Sequence, residues 1–131
     1  MAIRENPALW SSTALLITYD EHGGIYDHVA PPSCTADGFV AQPKDTKTGQ
    51  PFHFDRLGVR VPAILVSPWV AKGTVVDDGR VFEHASIPAT AMKWLLPTFD
   101  NSQRSPREAA APTFLDLLTL NTMRTDTPEF S

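Results

Sequence analysis

Two short apolar runs, separated by a long stretch rich in proline and glycine, constrain the fold of this chain most strongly. Residues 14–18 and 61–66 are almost continuously apolar, which is typical of strands covered on both faces of a parallel sheet. Pro62 is compatible with the second run only at a strand start, because proline cannot donate to the ladder. We therefore predict an α/β fold in which both strands belong to a mostly parallel sheet with flanking helices.

The clearest helical segment follows the second strand. Residues 86–96 carry apolar side chains at helical spacing. Ser86 is a suitable N-cap, Pro88 is tolerated because it falls in the first turn, and Pro97 ends the segment. We therefore predict a helix over residues 86–96.

Helices are also predicted near both ends of the chain. Residues 1–11 resemble the end of a helix that Asn6-Pro7 would break. A last helix is expected from about Pro112, with an apolar face. The polar tail from Thr122 is expected to be frayed.

The residues between the two strands show no helical period. Residues 24–58 are rich in Pro, Gly, Asp and Lys, and a long irregular connection is usually functional or flexible. Because this segment begins inside a cluster of polar residues, we predict that it walls a pocket. Two parallel strands make a thin sheet, so the sequence looks like the last third of a larger α/β domain.

The composition restricts the classes of partner. With 11 basic and 15 acidic residues, the formal net charge is −4, which disfavours general binding to nucleic acid or membrane surfaces. No apolar run approaches the ~20 residues of a membrane helix, and the first residues lack the apolar core of a signal peptide. The single cysteine, Cys34, excludes an internal disulfide, and its surroundings favour an inert surface thiol over a reactive one.

Two adjacent carboxylates follow directly after the first strand. Asp20 and Glu21 lie where ligands are usually bound in an open α/β sheet, at the carboxyl end of an apolar strand. Carboxylate oxygens suit hard divalent cations, and imidazole suits borderline ones. The pattern favours a metal site, with a phosphate-like substrate on the metal, over the alternative of a solvated acidic turn.

Further polar residues lie in the same loop. His22 and His28 are candidates for ligands, proton donors or phosphate contacts, with Asp27 beside them, although a single histidine is more often structural. Gly23-Gly24 allow positive φ and a close backbone approach, which a plain turn explains equally well. Tyr26 is assigned to packing.

His84 is a separate candidate, immediately before the predicted helix. A histidine at a helix N-terminus can face a bound anion or donate a proton to a leaving group. The alternative is a structural loop residue with Glu83 beside it. Both interpretations stay open.

Two arginines precede the second strand, in a segment that also contains His53. Arg56 or Arg60 can make the bidentate phosphate contact that guanidinium favours. Ion pairing with Asp55 is the alternative.

The motifs together resemble a known family. The block YDEHGGIYDHVAPP, which contains Asp20 and Glu21, is similar to the Asp-Glu-His-Gly-Gly block of the bacterial phosphoesterase family. That family contains the phosphatidylcholine-type phospholipases C and a related acid phosphatase. RLGVRVP with SPW, and FEHASI, resemble its later motifs in the same order.

The resemblance implies an alkaline-phosphatase-like α/β fold and a metal-dependent hydrolase acting on phosphate esters or phospholipids. It implies that Asp20 and Glu21 bind a divalent metal ion of undetermined identity, and that His84 lies near the site. His84, His22 and His28 are the candidate catalytic residues. Members of the family are commonly secreted or periplasmic.

The family's N-terminal Glu-Asn-Arg-Ser-Phe-Asp block and its central region with a hydroxyl nucleophile have no counterpart here. Residues 1–131 are therefore expected to be one partial domain, the C-terminal part of a catalytic domain. No local signature makes any serine a substitute nucleophile, since a nucleophile needs a metal or an adjacent base. The alternative is a catalytically inactive remnant, or a split subunit that associates with an N-terminal partner chain.

Overall fold

The computed structural model describes residues 2–126 as a small mixed α/β structure. Its α-helices and strands are Ala2–Glu5 (α1), Pro7–Ser11 (α2), Leu15–Thr18 (β1), Ala63–Val66 (β2), Ser86–Leu95 (α3) and Pro106–Ala110 (α4). Short 3₁₀ turns cover Pro43–Asp45, Asn101–Gln103 and Leu115–Leu117. No helix among the described residues is long and apolar enough to span a membrane.

The two strands pair antiparallel, with Leu15 opposite Val66 and Thr18 opposite Ala63. The prediction of a parallel sheet is therefore wrong for this pair, although both strands lie within the apolar runs. A continuous apolar run shows that both faces of a strand suit burial, but it does not set the direction of the neighbouring strand. The alkaline-phosphatase-like architecture stays a prediction.

The two faces of the strand pair differ in their surroundings. Leu16 and Leu65 line an apolar cavity of about 240 Å³ between the sheet and α3. On the opposite face, Leu15, Ile17 and Ile64 are 40%, 49% and 57% exposed. Because side chains alternate along a strand, this second apolar face is left largely open by residues 2–126.

Asn6 separates the first two helices, as the sequence predicts. Its Oδ1 accepts hydrogen bonds from the backbone N–H groups of Ala8 at 3.1 Å and Leu9 at 3.2 Å. Asn6 therefore ends α1 and caps α2, and Pro7 occupies the first turn, where its missing N–H is not needed.

The helix predicted over residues 86–96 is confirmed as α3, which ends one residue earlier at Leu95. Ala85, and not Ser86, occupies the N-cap position. Ser86 is fully buried, and its hydroxyl accepts a hydrogen bond from the N–H of Glu83 at 3.1 Å. Pro88 falls in the first turn, as expected.

The helix expected from Pro112 is wrong. The structure instead has α4 and the 3₁₀ turn Leu115–Leu117. Ser105 caps α4 by accepting the N–H of Glu108 at 3.1 Å, so Ser-Pro-Arg-Glu is a helix-start signal that the prediction missed. Residues 122–126 of the polar tail have no helix or strand, and residues 127–131 lie outside the described part of the chain.

Residues 24–58 have no α-helix, as predicted, and are held by two isolated bridges, Ser33–Arg56 and Ala41–Phe52. Phe54 has a φ of +53°, which is uncommon for a residue other than glycine. Its ring packs 4.8 Å from that of Phe52 and 5.5 Å from that of Phe39, measured between ring centres. These aromatic contacts stabilise the unusual backbone conformation.

The turn after β2 joins the two strands to the rest of the chain. Ser67 and Pro68 are buried, and the Ser67 hydroxyl donates to the carbonyl of Thr13 at 3.0 Å. The indole N–H of Trp69 donates to the carbonyl of Ser11 at 2.8 Å. The Ser-Pro-Trp segment thus ends β2, as predicted, and fixes the end of α2 against it.

Candidate active site

The loop that follows β1 begins with a tight turn. The N–H of Ile25 donates to the carbonyl of His22 at 3.0 Å. Gly23 and Gly24 have φ values of +62° and +79°, a conformation that other residues rarely adopt. The positive φ predicted for the glycine pair is therefore confirmed, and the turn alone accounts for it.

Asp20 and Glu21 lie just past the end of β1 with exposed side chains. Oδ1 of Asp20 accepts the backbone N–H of Glu21 at 3.0 Å. Among residues 2–126, neither carboxylate forms an ion pair. Both carboxylates therefore have oxygens that a bound divalent cation could use as ligands.

The ring of His22 is oriented by the glycine turn. Its Nδ1 accepts the N–H of Gly24 at 2.9 Å. Because a neutral imidazole has one accepting nitrogen, this contact leaves the proton on Nε2. The arrangement therefore suits His22 to donate a hydrogen bond to a phosphate oxygen, and not to bind a metal through a free lone pair.

His84 reaches the same end of β1 from a distant part of the sequence. Its Nε2 lies 3.0 Å from the carbonyl oxygen of Tyr19, the residue that precedes Asp20. A carbonyl only accepts hydrogen bonds, so Nε2 carries the proton and the lone pair of the neutral ring lies on Nδ1. Nδ1 is thus the nitrogen available to take up a proton or to bind a metal, and such histidines commonly donate their other N–H to a carbonyl.

Arg60 and Asp27 form a bidentate ion pair. Nε of Arg60 donates to Oδ2 of Asp27 at 2.6 Å, and Nη2 donates to Oδ1 at 2.8 Å. The Asp27 side chain is only 11% exposed. The hydrogen bonds from Arg60 and from the backbone N–H of Val29 hold the pKa of Asp27 well below its usual range. Ion pairing is thus the observed arrangement for Arg60, but with Asp27 and not with Asp55.

Removing this ion pair is expected to lower the thermal stability of the chain. Asp27→Asn keeps the size of the side chain but leaves Arg60 without its charged partner. We expect a lower Tm by circular dichroism for Asp27→Asn and for Arg60→Met. The double variant should lose less than the sum of the two, because the residues share one interaction. Strict additivity would contradict a direct coupling of the two side chains.

The structure assigns no role to two other predicted candidates. The side chain of His28 is 83% exposed, with Nδ1 3.5 Å from Oδ1 of Asp27. The guanidinium of Arg56 lies 5.9 Å from the centre of the Phe52 ring. A catalytic role for His28 and a phosphate contact by Arg56 stay predictions.

The oxygen atoms at the end of β1 are of the type that a hard divalent cation binds, but they are too few to complete its coordination. Asp20 and Glu21 supply free carboxylate oxygens, which such cations prefer. Within residues 2–126, however, no group of three or more His, Cys, Asp or Glu side chains is close enough to hold a metal ion. The described residues therefore supply part of a metal site and do not complete one.

Three serine hydroxyls, those of Ser11, Ser12 and Ser86, are hydrogen-bonded within the fold. Ser86 is fully buried. The hydroxyls of Ser11 and Ser12 donate to the carbonyl of Ala8 at 3.1 and 2.8 Å. These contacts agree with the absence of a local nucleophile signature in the sequence.

Cys34 is half-buried and not fully exposed. Its Sγ lies 3.6 Å from the carbonyl oxygen of Phe54, and burial raises the pKa of the thiol. A raised pKa lowers the thiolate fraction, and only the thiolate is nucleophilic. We expect Cys34 to react with a disulfide reagent at pH 7 more slowly in the folded chain than in guanidinium. Equal rates would contradict the predicted inertness.

The apolar cavity lies away from the polar loop. Its lining comes from β1, β2, α3 and the segment around Phe114, with no residue from 24–58. The prediction that residues 24–58 wall a pocket therefore stays a prediction.

Comparison with known proteins decides the family. The model of the Phosphoesterase family matches residues 1–95. The chain belongs to the phosphoesterase family. The resemblance seen in the three ordered motifs is thereby confirmed, because the match spans all of them.

The relatives of this phosphoesterase chain include phospholipases C from plants and bacteria. Non-specific phospholipase C6 of Arabidopsis thaliana is 47% identical over 138 residues, covering 97% of this chain and 25% of the relative. Non-specific phospholipase C1 of the same plant is 44% identical over 136 residues, covering 97% and 24%. Non-hemolytic phospholipase C of Burkholderia pseudomallei is 39% identical over 94 residues, covering 66% and 13%. The chain spans about a quarter of the length of the plant relatives.

Two contacts of this phosphoesterase chain were not predicted from its sequence. The Asp27–Arg60 pair joins residues 33 positions apart, and the His84–Tyr19 contact joins residues 65 positions apart. Asp27, Arg60 and His84 each belong to one of the three motifs that resemble the family's motifs in the same order. This shared order was the sequence signal that the three residues lie near one site. Which atoms meet within such a site depends on the tertiary fold.

Proposed function

We propose that this chain is part of a metal-dependent hydrolase of phosphate esters, of phospholipase C type. The observation that carries the proposal is the unpaired carboxylate pair of Asp20 and Glu21 at the end of β1, with His84 bound to the adjacent Tyr19 carbonyl. Membership of the phosphoesterase family and similarity to named phospholipases C support it.

Asp20 and Glu21 are proposed to hold the divalent cation. When bound, the cation supplies charge stabilisation to a phosphoryl oxygen. The two carboxylates keep the local charge favourable for the cation, and the N–H of Glu21 orients Oδ1 of Asp20. The remaining ligands are proposed to come from polypeptide equivalent to the rest of the relatives.

The two histidines are proposed to act on different oxygens of the substrate. His84, protonated on Nδ1 while Nε2–H stays on the Tyr19 carbonyl, donates a proton to the leaving alcohol. His22 donates a hydrogen bond from Nε2 to a phosphate oxygen, since its Nδ1 is held by the N–H of Gly24. A phospholipid or another phosphate ester is the proposed substrate.

We propose in addition that the isolated chain has no turnover and associates with complementary polypeptide. Two observations favour this candidate: the shortage of metal ligands among the described residues and the open apolar face formed by Leu15, Ile17 and Ile64. A two-stranded sheet is marginal by itself and gains stability when its apolar face is covered. The complementary polypeptide would cover this face and supply the remaining metal ligands.

The test is a hybrid enzyme, in which this chain replaces the matched segment of Arabidopsis thaliana non-specific phospholipase C6. Hydrolysis of phosphatidylcholine is measured for the hybrid and for the isolated chain, with and without chelator. Chelator-sensitive hydrolysis by the hybrid alone supports both proposals. A folded hybrid without hydrolysis contradicts the hydrolase assignment, and turnover by the isolated chain contradicts the incomplete site.

A further inference from the structure

An ion pair between two mostly buried side chains, Arg107 and Glu83, lies next to the turn that contains His84. Nε of Arg107, in α4, donates to Oε2 of Glu83 at 2.5 Å. The two side chains are 20% and 11% exposed, and Nη1 of Arg107 lies 3.4 Å from the carbonyl oxygen of Phe54. Arg107 therefore joins three segments that are distant in sequence: α4, the His84 turn and the loop that contains Phe54.

An ion pair of this kind fixes the positions of its two side chains more than it raises the free energy of unfolding. Desolvating both charges offsets much of their attraction. Loss of Arg107, however, would leave the carboxylate of Glu83 as an almost buried charge without a cation. The turn would then have to rearrange to bring Glu83 into water, and His84 is the next residue.

The backbone after His84 is fixed from the other side. The hydroxyl of Ser86 accepts the N–H of Glu83, and the N–H of Ser86 donates to the Glu83 carbonyl at 2.8 Å. The hydroxyl of Thr90 donates to the carbonyl of Ser86 at 2.6 Å and accepts the N–H of Phe114 at 3.0 Å. His84 thus lies between two anchored residues while its own side chain is exposed.

We propose that Arg107 is a positioning residue for His84. By holding Glu83, it sets the turn so that Nε2–H of His84 stays on the Tyr19 carbonyl and Nδ1 is the free nitrogen at the end of β1. The carboxylate of Glu83 is then held in the ion pair with Arg107 and does not act as a catalytic carboxylate beside His84. The use made of Nδ1 rests on the proposed hydrolase function, whereas the positioning itself does not.

The test measures the position of the His84 ring in the metal-free chain. In a trans peptide, the Hα of Asp20 lies on the same side as the Tyr19 carbonyl oxygen, so the His84 ring protons should give a nuclear Overhauser cross peak to it. We expect this cross peak in the parent chain and its loss in Arg107→Met. Glu108→Gln is the matched control, because Glu108 lies in α4 next to Arg107 and is also a half-buried carboxylate paired with an arginine, Arg104, which precedes the helix. It should keep the cross peak.

Swapping the two charged residues shows whether the ion pair itself, and not packing around Arg107, positions His84. The double variant Glu83→Arg/Arg107→Glu should recover the cross peak if the pair itself sets the turn. A folded Arg107→Met chain that keeps the cross peak overturns the proposal. If Arg107→Met does not fold, the double variant decides: recovery supports the proposal, and a folded double variant without the cross peak overturns it.

The result is independent of catalysis, because neither metal nor substrate is present. Metal binding is measured separately with Mn²⁺ in the hybrid enzyme. A hybrid that binds no Mn²⁺ contradicts the proposed function and leaves the cross-peak result valid. Loss of the cross peak in Glu108→Gln as well as in Arg107→Met would show that any change in α4 moves His84, and would overturn the specific role of Arg107.

Discussion

Replacing Asp20 by Asn, or Glu21 by Gln, is expected to lower phosphatidylcholine hydrolysis by the hybrid enzyme more than about 100-fold. Even an outer-shell partner of a metal ligand costs 10- to 100-fold when replaced, so a direct ligand should cost at least that much. Asn at position 20 keeps the acceptor for the Glu21 N–H but removes the charge that attracts the cation. The measurement is the initial rate at the Mn²⁺ concentration that half-activates the parent hybrid, so that weaker binding of the cation also lowers the rate.

Asp77→Asn is the matched control for these variants. Asp77 is also an exposed carboxylate, and it forms no ion pair within residues 2–126. It should leave the rate unchanged. Full activity of both Asp20→Asn and Glu21→Gln would show that these carboxylates are not metal ligands, and the solvated acidic turn would be the better interpretation.

His84→Gln is expected to slow release of an alkyl alcohol about 10²- to 10⁴-fold, the range typical of general acid catalysis. The amide of Gln can still donate to the Tyr19 carbonyl, but it cannot deliver a proton. The loss should be much smaller for a nitrophenyl phosphate ester, because the nitrophenolate leaves without being protonated. The measurement compares the two substrates in the hybrid enzyme.

Comparing the two leaving groups shows whether His84→Gln lowers the rate by removing a proton donor or by disturbing the structure of the site. His53→Gln is the control, since His53 is an exposed histidine of the irregular segment. It should affect neither substrate. An equal loss for both substrates in His84→Gln would assign His84 to binding or to structure, and proton donation would be ruled out for it.

The positions of the main elements could be predicted from the sequence, because local patterns carry them. The apolar runs locate β1 and β2, and the apolar period with its flanking prolines locates α3. The direction of strand pairing could not be predicted, since an apolar run is compatible with either ladder. It depends on the path of residues 24–58, which local propensity does not describe.

The error at the carboxyl-terminal part of the chain has a different origin. The apolar spacing after Pro112 predicts a helix, whereas Leu115–Leu117 forms only a 3₁₀ turn. The capping sequence from Ser105 to Glu108 was a valid local signal for α4. A cap therefore gave better evidence of a helix start here than apolar spacing over a few residues.

The candidate site could be predicted in part for a similar reason. Asp20, Glu21 and the glycine turn are contiguous, so their shared loop follows from the sequence. The hydrogen bond between His84 and Tyr19 depends on tertiary packing. So does the choice of Asp27 and not Asp55 as the partner of Arg60. Side-chain pairing over such distances is set by the fold and not by local propensity.

Mn²⁺ retained by the hybrid enzyme after gel filtration tests the central claim most directly. The claim is that Asp20 and Glu21 supply part of a divalent metal site that the isolated chain does not complete. We predict bound Mn²⁺ in the hybrid, and its loss in the isolated chain and in the hybrid carrying Asp20→Asn and Glu21→Gln. Equal retention by the hybrid with and without these two substitutions would contradict the claim.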